Sequence, residues 1–130
     1  MVLDHIGLGV SDYERSKAFY TAALAPLGIA PVMEITPDRS ERGVPVCGFG
    51  KAGKGEFWIT GDGRTTPRLH VAFLARNRAE VRAFHDAALA AGARDHGAPG
   101  PRPIYHPSYY GAFVLDPDGH NVEAVCHTPE

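Results

Sequence analysis

The 130-residue sequence predicts an α+β fold built from two tandem βαβββ modules, and three observations carry that reading. First, a frame repeats: Ala18-Phe19-Tyr20-Thr21-Ala22-Ala23-Leu24 returns as Ala83-Phe84-His85-Asp86-Ala87-Ala88-Leu89, at an offset of 65 residues. Second, the same offset of 65 carries His5 onto His70, each within an alternating apolar stretch, LDHIGLGV and RLHVAFLA. Third, each half runs strand, helix, then several short strands. Ala-rich helices converge easily, but a helix and a histidine that share one offset indicate a duplicated unit. Two copies make a paired domain, not a solenoid. The expected modules are about residues 1–65 and 66–130 of a single domain, with the helices on one side of the sheets.

The elements follow in order. Val2–Val10 alternates and is rich in Val, Ile and Leu, so it reads as a strand. Ser11 with Glu14 forms an S-x-x-E capping box, opening a helix that runs to about Ala25, before Pro26. Short strands are expected at Pro31–Thr36, Val44–Phe49 and Phe57–Thr60, separated by Gly, Pro and charged turns. The second half offers a strand at Leu69–Ala75, a weaker cap from Asn77 and Glu80, and a helix ended by Gly92. Tyr109–Leu115 and Asn121–Cys126 flank Asp116-Pro117-Asp118-Gly119, a hairpin turn. Ala98–Pro107 carries four prolines, which favours extended polyproline geometry and excludes a central strand.

Composition narrows the function classes. With 44% hydrophobic and 22% charged residues and a formal net charge of −2, the chain has no basic field for nucleic acid and no acidic tail. Two cysteines, Cys47 and Cys126, are too few for a disulfide framework, so reduced thiols in a cytoplasmic protein are expected. MVLDHIGLGV lacks the basic start and apolar run of a signal peptide. No stretch approaches the roughly 18 apolar residues of a membrane span. The excess lies in 15 Gly, 11 Pro and 7 His.

Several motifs fail on context. Gly48-Phe49-Gly50-Lys51-Ala52-Gly53 matches G-x-G-x-x-G, and Gly48–Lys54 begins like a phosphate loop, but Glu-Phe-Trp-Ile-Thr follows. Phosphate binding needs a helix N-terminus there, so the run reads as a glycine-rich hairpin. Asp116-x-Asp118-Gly119 lacks the spacing and closing Glu of a calcium loop.

One constellation holds. His5, His70 and Glu123 fall on predicted strands, the histidines at equivalent places of the two halves. Two imidazoles and a carboxylate with open positions suit a divalent metal: non-haem iron, zinc, nickel or manganese. Glu123 sits among Val122, Ala124 and Val125, where an unpaired carboxylate is costly and a metal would resolve the cost. Each histidine taken alone reads first as a hydrogen-bonded core residue; the repeat and the strand glutamate together reverse that balance in favour of a site. His85, His96 and His127 read as solvated, and His120 as structural.

The run His5-x-x-Leu8-x-Val10, Ser16 to Tyr20, His70, and Leu115-Asp116-Pro117-Asp118-Gly119-His120-Asn121-Val122-Glu123 resembles the vicinal oxygen chelate superfamily. That group contains glyoxalase I, extradiol dioxygenases and bleomycin or fosfomycin resistance proteins. The resemblance implies paired modules whose sheets curve into a cup, a homodimer, and a metal in the cup that takes two vicinal oxygens of a small-molecule substrate. It implies His5, His70 and Glu123 as ligands. Glyoxalase I also has a carboxylate in the fourth strand, but the 65-residue offset from Glu123 falls on Trp58. Glu56 serves only if the halves are two residues out of register there; otherwise Trp58 walls the pocket and Glu56 is an exposed strand residue. Ile6-Gly7-Leu8-Gly9 lacks the arginine that holds glutathione in glyoxalase I-like sequences, which argues against a glutathione thiohemiacetal. Tyr105, His106 and Tyr110 are candidate proton-transfer groups, and Arg102, Tyr109 and Trp58 candidate contacts to an anionic or aromatic substrate. The loop that carries several of them is equally readable as a plain connector. Lyase, isomerase and ring-cleaving dioxygenase chemistry all fit, as does a metal-free small-molecule binding protein of the bleomycin-resistance type.

Overall fold

A computed structural model describes residues 3–130. The first unit comprises β1 (Ile6–Gly9), α1 (Tyr13–Leu24), a 3-10 turn (Ala25–Leu27), β2 (Ala30–Ile35), β3 (Val46–Lys51) and β4 (Lys54–Thr60). The second comprises β5 (His70–Leu74), α2 (Arg78–Ala90), β6 (Arg94–Pro101), β7 (Tyr110–Leu115) and β8 (Asn121–Cys126). Each is βαβββ. The sheets are ordered β1-β4-β3-β2 and β5-β8-β7-β6, with one parallel pair apiece. Ile6 pairs with Phe57 and Val71 with Val122, so both parallel pairs obey one register under the 65-residue offset.

The repeated helical frame is a core pattern. Phe19 and Phe84, Tyr20 and His85, and Ala23 and Ala88 are all buried at matching positions, one helical face apiece. Each helix covers its sheet, and α1 packs on α2 between the two units. Phe57 of β4 meets Phe73 of β5 edge-on, with ring centroids 5.2 Å apart.

Several local expectations change. Val2 lies outside the described residues, and β1 starts only at Ile6, which leaves His5 just ahead of the strand. Asp12, not Ser11, caps α1: its carboxylate accepts from the Arg15 amide, while Ser11 is diverted to Asp118. Asn77 caps α2 as expected, accepting from the Glu80 amide. His85 is buried, not solvated, and its Nε2 meets Asp95 Oδ1 at 3.0 Å. The proline-rich segment is partly a strand, since β6 includes Pro99 and Pro101; its edge place and two register shifts make room for residues that cannot donate. The nucleotide-like run is the β3–β4 hairpin, turned at Ala52 and Gly53, both at positive φ.

The Asp116-Pro117-Asp118-Gly119 turn ties the units together. Asp116 is buried; its Oδ1 accepts the Asp118 and His120 amides, and its Oδ2 accepts the Tyr20 hydroxyl of α1. His120, fully buried, accepts the Leu69 amide on Nδ1 at 3.0 Å and donates from Nε2 to the Gly9 carbonyl at 3.3 Å. Burial, then the Asp116 charge, pushes the Tyr20 phenol far above its ordinary range, so it remains a donor at every ordinary pH.

Two predictions follow from these contacts. Tyr20→Phe leaves a buried carboxylate oxygen short of a donor and lowers stability by about 1–3 kcal/mol, read as a lower urea midpoint at unchanged slope. Asp118→Ala, which removes only the exposed Ser11 contact, costs less than about 1 kcal/mol. Separately, the Glu80 carboxyl is held below its ordinary value by hydrogen bonds from the Arg76 side chain and amide. Its folded pKa is depressed, so its stabilisation is complete above the unfolded value of about 4.3 and lost as pH falls through the folded one. Glu80→Gln therefore flattens the fall of the urea midpoint between neutral pH and about pH 3.

Candidate functional site

Strand parity places the second unit's polar cluster. Phe113 pairs directly with Glu123, so both project from one face, as does Gly111 two residues earlier. His70 opens β5, and Glu123 stands two residues further along the neighbouring β8 than His70's partner, Asn121. There His70 Nε2 meets Glu123 Oε1 at 2.8 Å, while Glu123 Oε2 accepts the Tyr109 hydroxyl. Glu123 is 1% exposed, whereas the His70 side chain is 53% exposed, so the pair opens on the imidazole side. A Cβ on Gly111 would lie 3.2 Å from both Glu123 Oε2 and the Tyr109 ring, so any side chain there would press the carboxylate and phenol back by a few tenths of an ångström.

Tyr109 is boxed by rings. Tyr105, His106 and His127 lie at centroid distances of 4.8, 5.5 and 5.4 Å from it. His106 accepts the Ser108 amide on Nδ1, so its Nε2 carries the proton donated to His127 Nδ1, 2.8 Å away. Burial and the bond to Glu123 push the Tyr109 phenol well above its ordinary value, opposed by the nearby Arg102 charge. Tyr109 is therefore a standing donor to the carboxylate. Arg102 donates to the Gly100 and Ala98 carbonyls at 2.8 Å and lies over the Phe113 ring, 5.5 Å from its centroid.

The first unit presents a different face. His5 is exposed and its Nδ1 meets Asp4 Oδ1 at 2.7 Å. Register continues to Glu56 beside it, in the irregular step between Phe57 and Gly55. Both line an apolar cleft of about 600 Å³ with Ile6, Phe57, Val71 and Phe73; His70 and Glu123 do not line it. The common register equates Trp58 with Glu123, and Glu56 with Asn121. The halves are in step, so the fourth-strand place of a second carboxylate is filled by an indole. That indole lies flat on glycines: a Cβ at Gly48 or Gly55 would come within 2.7 or 2.5 Å of it.

Of the residues singled out in the sequence, the chain brings together His70, Glu123 and Tyr109, with Tyr105, His106 and Arg102 around them. His5, Glu56 and Trp58 stand on the other sheet. Among the described residues, no three His, Cys, Asp or Glu side chains gather on one point. Tyr110 faces the opposite way, against the guanidinium groups of Arg78 and Arg82 on α2. Sequence reasoning missed Phe113, Gly111 and His127; alternation through β7 was the available signal for the first two. No described helix is long and apolar enough to cross a membrane.

Two four-stranded sheets with the same connectivity, with an imidazole and a carboxylate on adjacent strands, define the class. The model of the Glyoxalase/Bleomycin resistance protein/Dioxygenase superfamily matches residues 2–124, and the chain belongs to that superfamily. Among solved structures it is similar to a glyoxalase/bleomycin resistance protein from Albidiferax ferrireducens T118, with 29% identity and a TM-score of 0.77 over 98% of this chain and 100% of that one. The fosfomycin resistance protein FosX from Listeria monocytogenes shares the fold at 21% identity, a TM-score of 0.69, and 98% and 94% coverage. Glyoxalase I from Zea mays does so at 21% identity and a TM-score of 0.69, over 98% of this chain and 45% of that one. No curated protein matches the chain.

Tyr109→Phe tests the donor to Glu123. It leaves Oε2 buried without its hydroxyl partner and is expected to lower stability by about 1–3 kcal/mol in urea unfolding. An unchanged midpoint would show that the carboxylate does not depend on that bond.

Proposed function

We propose that this chain is a metal-dependent enzyme that binds a small molecule through two adjacent oxygens on a divalent ion, iron, zinc, nickel or manganese. The observation that carries the reading is the His70–Glu123 pair, whose nitrogen and oxygen lie 2.8 Å apart on adjacent strands. An imidazole and a carboxylate suit any of these ions. The buried carboxylate is held from behind by Tyr109, the orienting partner that metal-binding carboxylates require. Such an ion supplies Lewis-acid charge or, as iron, a redox couple, which fits lyase, isomerase or dioxygenase chemistry.

His5 is the third ligand in this proposal, and it comes from a second copy of the chain. His5 and His70 stand at equivalent places on separate sheets, so a two-fold pairing that sets one chain's first sheet beside the other's second brings them to one site. The homodimer then carries two sites. Glu56, equivalent to Asn121, stays outside the ligand set. Tyr109 orients Glu123, Trp58 offers a flat wall for the substrate, and Tyr105 and His106 handle the proton at the rim. Tyr110, turned to α2, takes no part.

A metal-free binding protein is the second reading, favoured by one feature: the indole of Trp58 on its glycine bed is a stacking surface in the place of a second carboxylate.

Elemental analysis of protein purified without chelator separates the readings. About one ion per chain is expected. His70→Ala, Glu123→Ala and His5→Ala each weaken its binding at least about tenfold, while Glu56→Gln leaves it unchanged. A folded wild-type protein without metal affinity supports the binding protein instead. Mixing tests the shared site: His5→Ala and His70→Ala chains, each weakened in metal binding alone, regain one intact site per mixed dimer. No regain places all ligands within one chain.

A further inference from the structure

We propose that Arg102 forms an anion subsite beside the metal ligands, and that the substrate carries an oxyanion, a carboxylate or phosphonate, as well as the two adjacent oxygens. The inference rests on the metal-site reading for its second half only; the subsite itself stands on four observations.

The first is place. Phe113 projects beside Glu123, its ring lies 6.0 Å from the His70 ring, and the Arg102 guanidinium lies over it. The cation and the histidine therefore lie against the same ring, on the same face of the sheet. The second is preparation. A Cβ at Gly97 would meet Arg102 Nη2 at 3.3 Å and Phe113 at 2.9 Å, and one at Gly100 would meet Nη1 at 3.2 Å. Edge strand β6 thus leaves out two side chains where the guanidinium lies flat.

The third observation is fixation. The Ala98 and Gly100 carbonyls hold the two terminal nitrogens at 2.8 Å, so little side-chain entropy remains to be lost on binding a ligand. The fourth is charge. Carbonyl oxygens do not neutralise a guanidinium, and among the described residues no carboxylate lies within 4.0 Å of Arg102, so the charge held at this place stays uncompensated. A guanidinium has five N–H donors, and the carbonyls occupy only part of that set. What remains suits an oxyanion, which a guanidinium binds more strongly than any neutral group.

Calorimetry with paired probes tests this. Metal-loaded wild-type protein should bind 3,4-dihydroxybenzoate at least about tenfold more tightly than catechol, which has the same adjacent oxygens and no anion. Arg102→Gln should bring that ratio near one, and Arg102→Lys should keep part of it. Arg94→Gln, at the far end of β6, should keep it whole. A wild-type ratio near one, or an undiminished ratio in Arg102→Gln, overturns the proposal. Chelator-treated protein isolates the subsite from the metal: benzoate or phenylphosphonate should outbind benzyl alcohol, and the stronger of the two anions identifies the group recognised. That preference in protein without metal affinity keeps the subsite and refutes the metal reading alone; its absence refutes the subsite. Should Arg102→Gln fail to fold, the wild-type preference must still weaken with added salt, and a salt-independent preference overturns the proposal.

Discussion

The register of β5 against β8 is the constraint on which the site depends, and a buried turn enforces it. Between Leu115 and Asn121 the chain reverses on Asp116, whose carboxylate collects two amides of its own turn and the Tyr20 hydroxyl from the other unit. His120 then reads both units at once, accepting from Leu69 and donating to Gly9. The Asn121 amide donates to the Leu69 carbonyl at 2.9 Å, the first rung that starts β8 beside β5. From that rung His70 and Glu123 follow without freedom. A slip of one residue would turn Glu123 into the helix-covered side and bring Val122 to the site. The turn therefore sets both the packing of the units and the meeting of imidazole with carboxylate.

Duplication supplied two such frames, and the frames diverged by chemistry while keeping geometry. In both, a parallel strand pair holds one register, with a histidine at or just before the first strand. The second unit places a buried carboxylate in the neighbouring strand, with an aromatic donor behind it. The first unit places an indole there, over glycines. A carboxylate in that position would stand on a half-exposed face without the tyrosine that anchors Glu123; the indole needs no such support. One unit thus carries charge on this face and the other a flat apolar surface.

The sequence made the architecture legible because its repeat is the core itself. The frame that returns after 65 residues contains the buried face of each helix, so one comparison located both helices, and the shared histidine offset located both first strands. Finer features escaped where tertiary contacts compete with local preference. Ser11 has the capping residue's chemistry, but Asp118 from the other unit claims it, and Asp12 caps instead. His85 reads as solvated by residue type, yet it holds the place of buried Tyr20, with Asp95 as its polar outlet. Tyr109 and Tyr110 are neighbours, and strand parity alone separates them: one reaches Glu123, the other the arginines of α2. The proposed convergence of His5 with His70 depends on how two copies pair, and spacing along one chain carries no record of that.

Part of the glycine excess, five of the 15, follows from this division of labour. Five strand glycines, Gly48, Gly55, Gly97, Gly100 and Gly111, each leave a space that a site side chain fills: Trp58, Arg102 with Phe113, or Glu123 with Tyr109. Glycine within a strand costs about 0.5–1 kcal/mol against alanine, and it forgoes cross-strand contacts as well. A fold selected for stability alone would fill these places with the β-branched residues that strands favour. The cost is concentrated on the faces that carry Trp58, Arg102 and Glu123, while the helix-covered faces remain densely packed with Phe49, Phe57, Ile59, Val114 and Val122. That asymmetry is what distinguishes a working surface from an unfinished core. Each omitted side chain allows a large or charged group to lie against the sheet in one orientation, and preorganisation of this kind is how a small domain fixes polar groups before a ligand arrives.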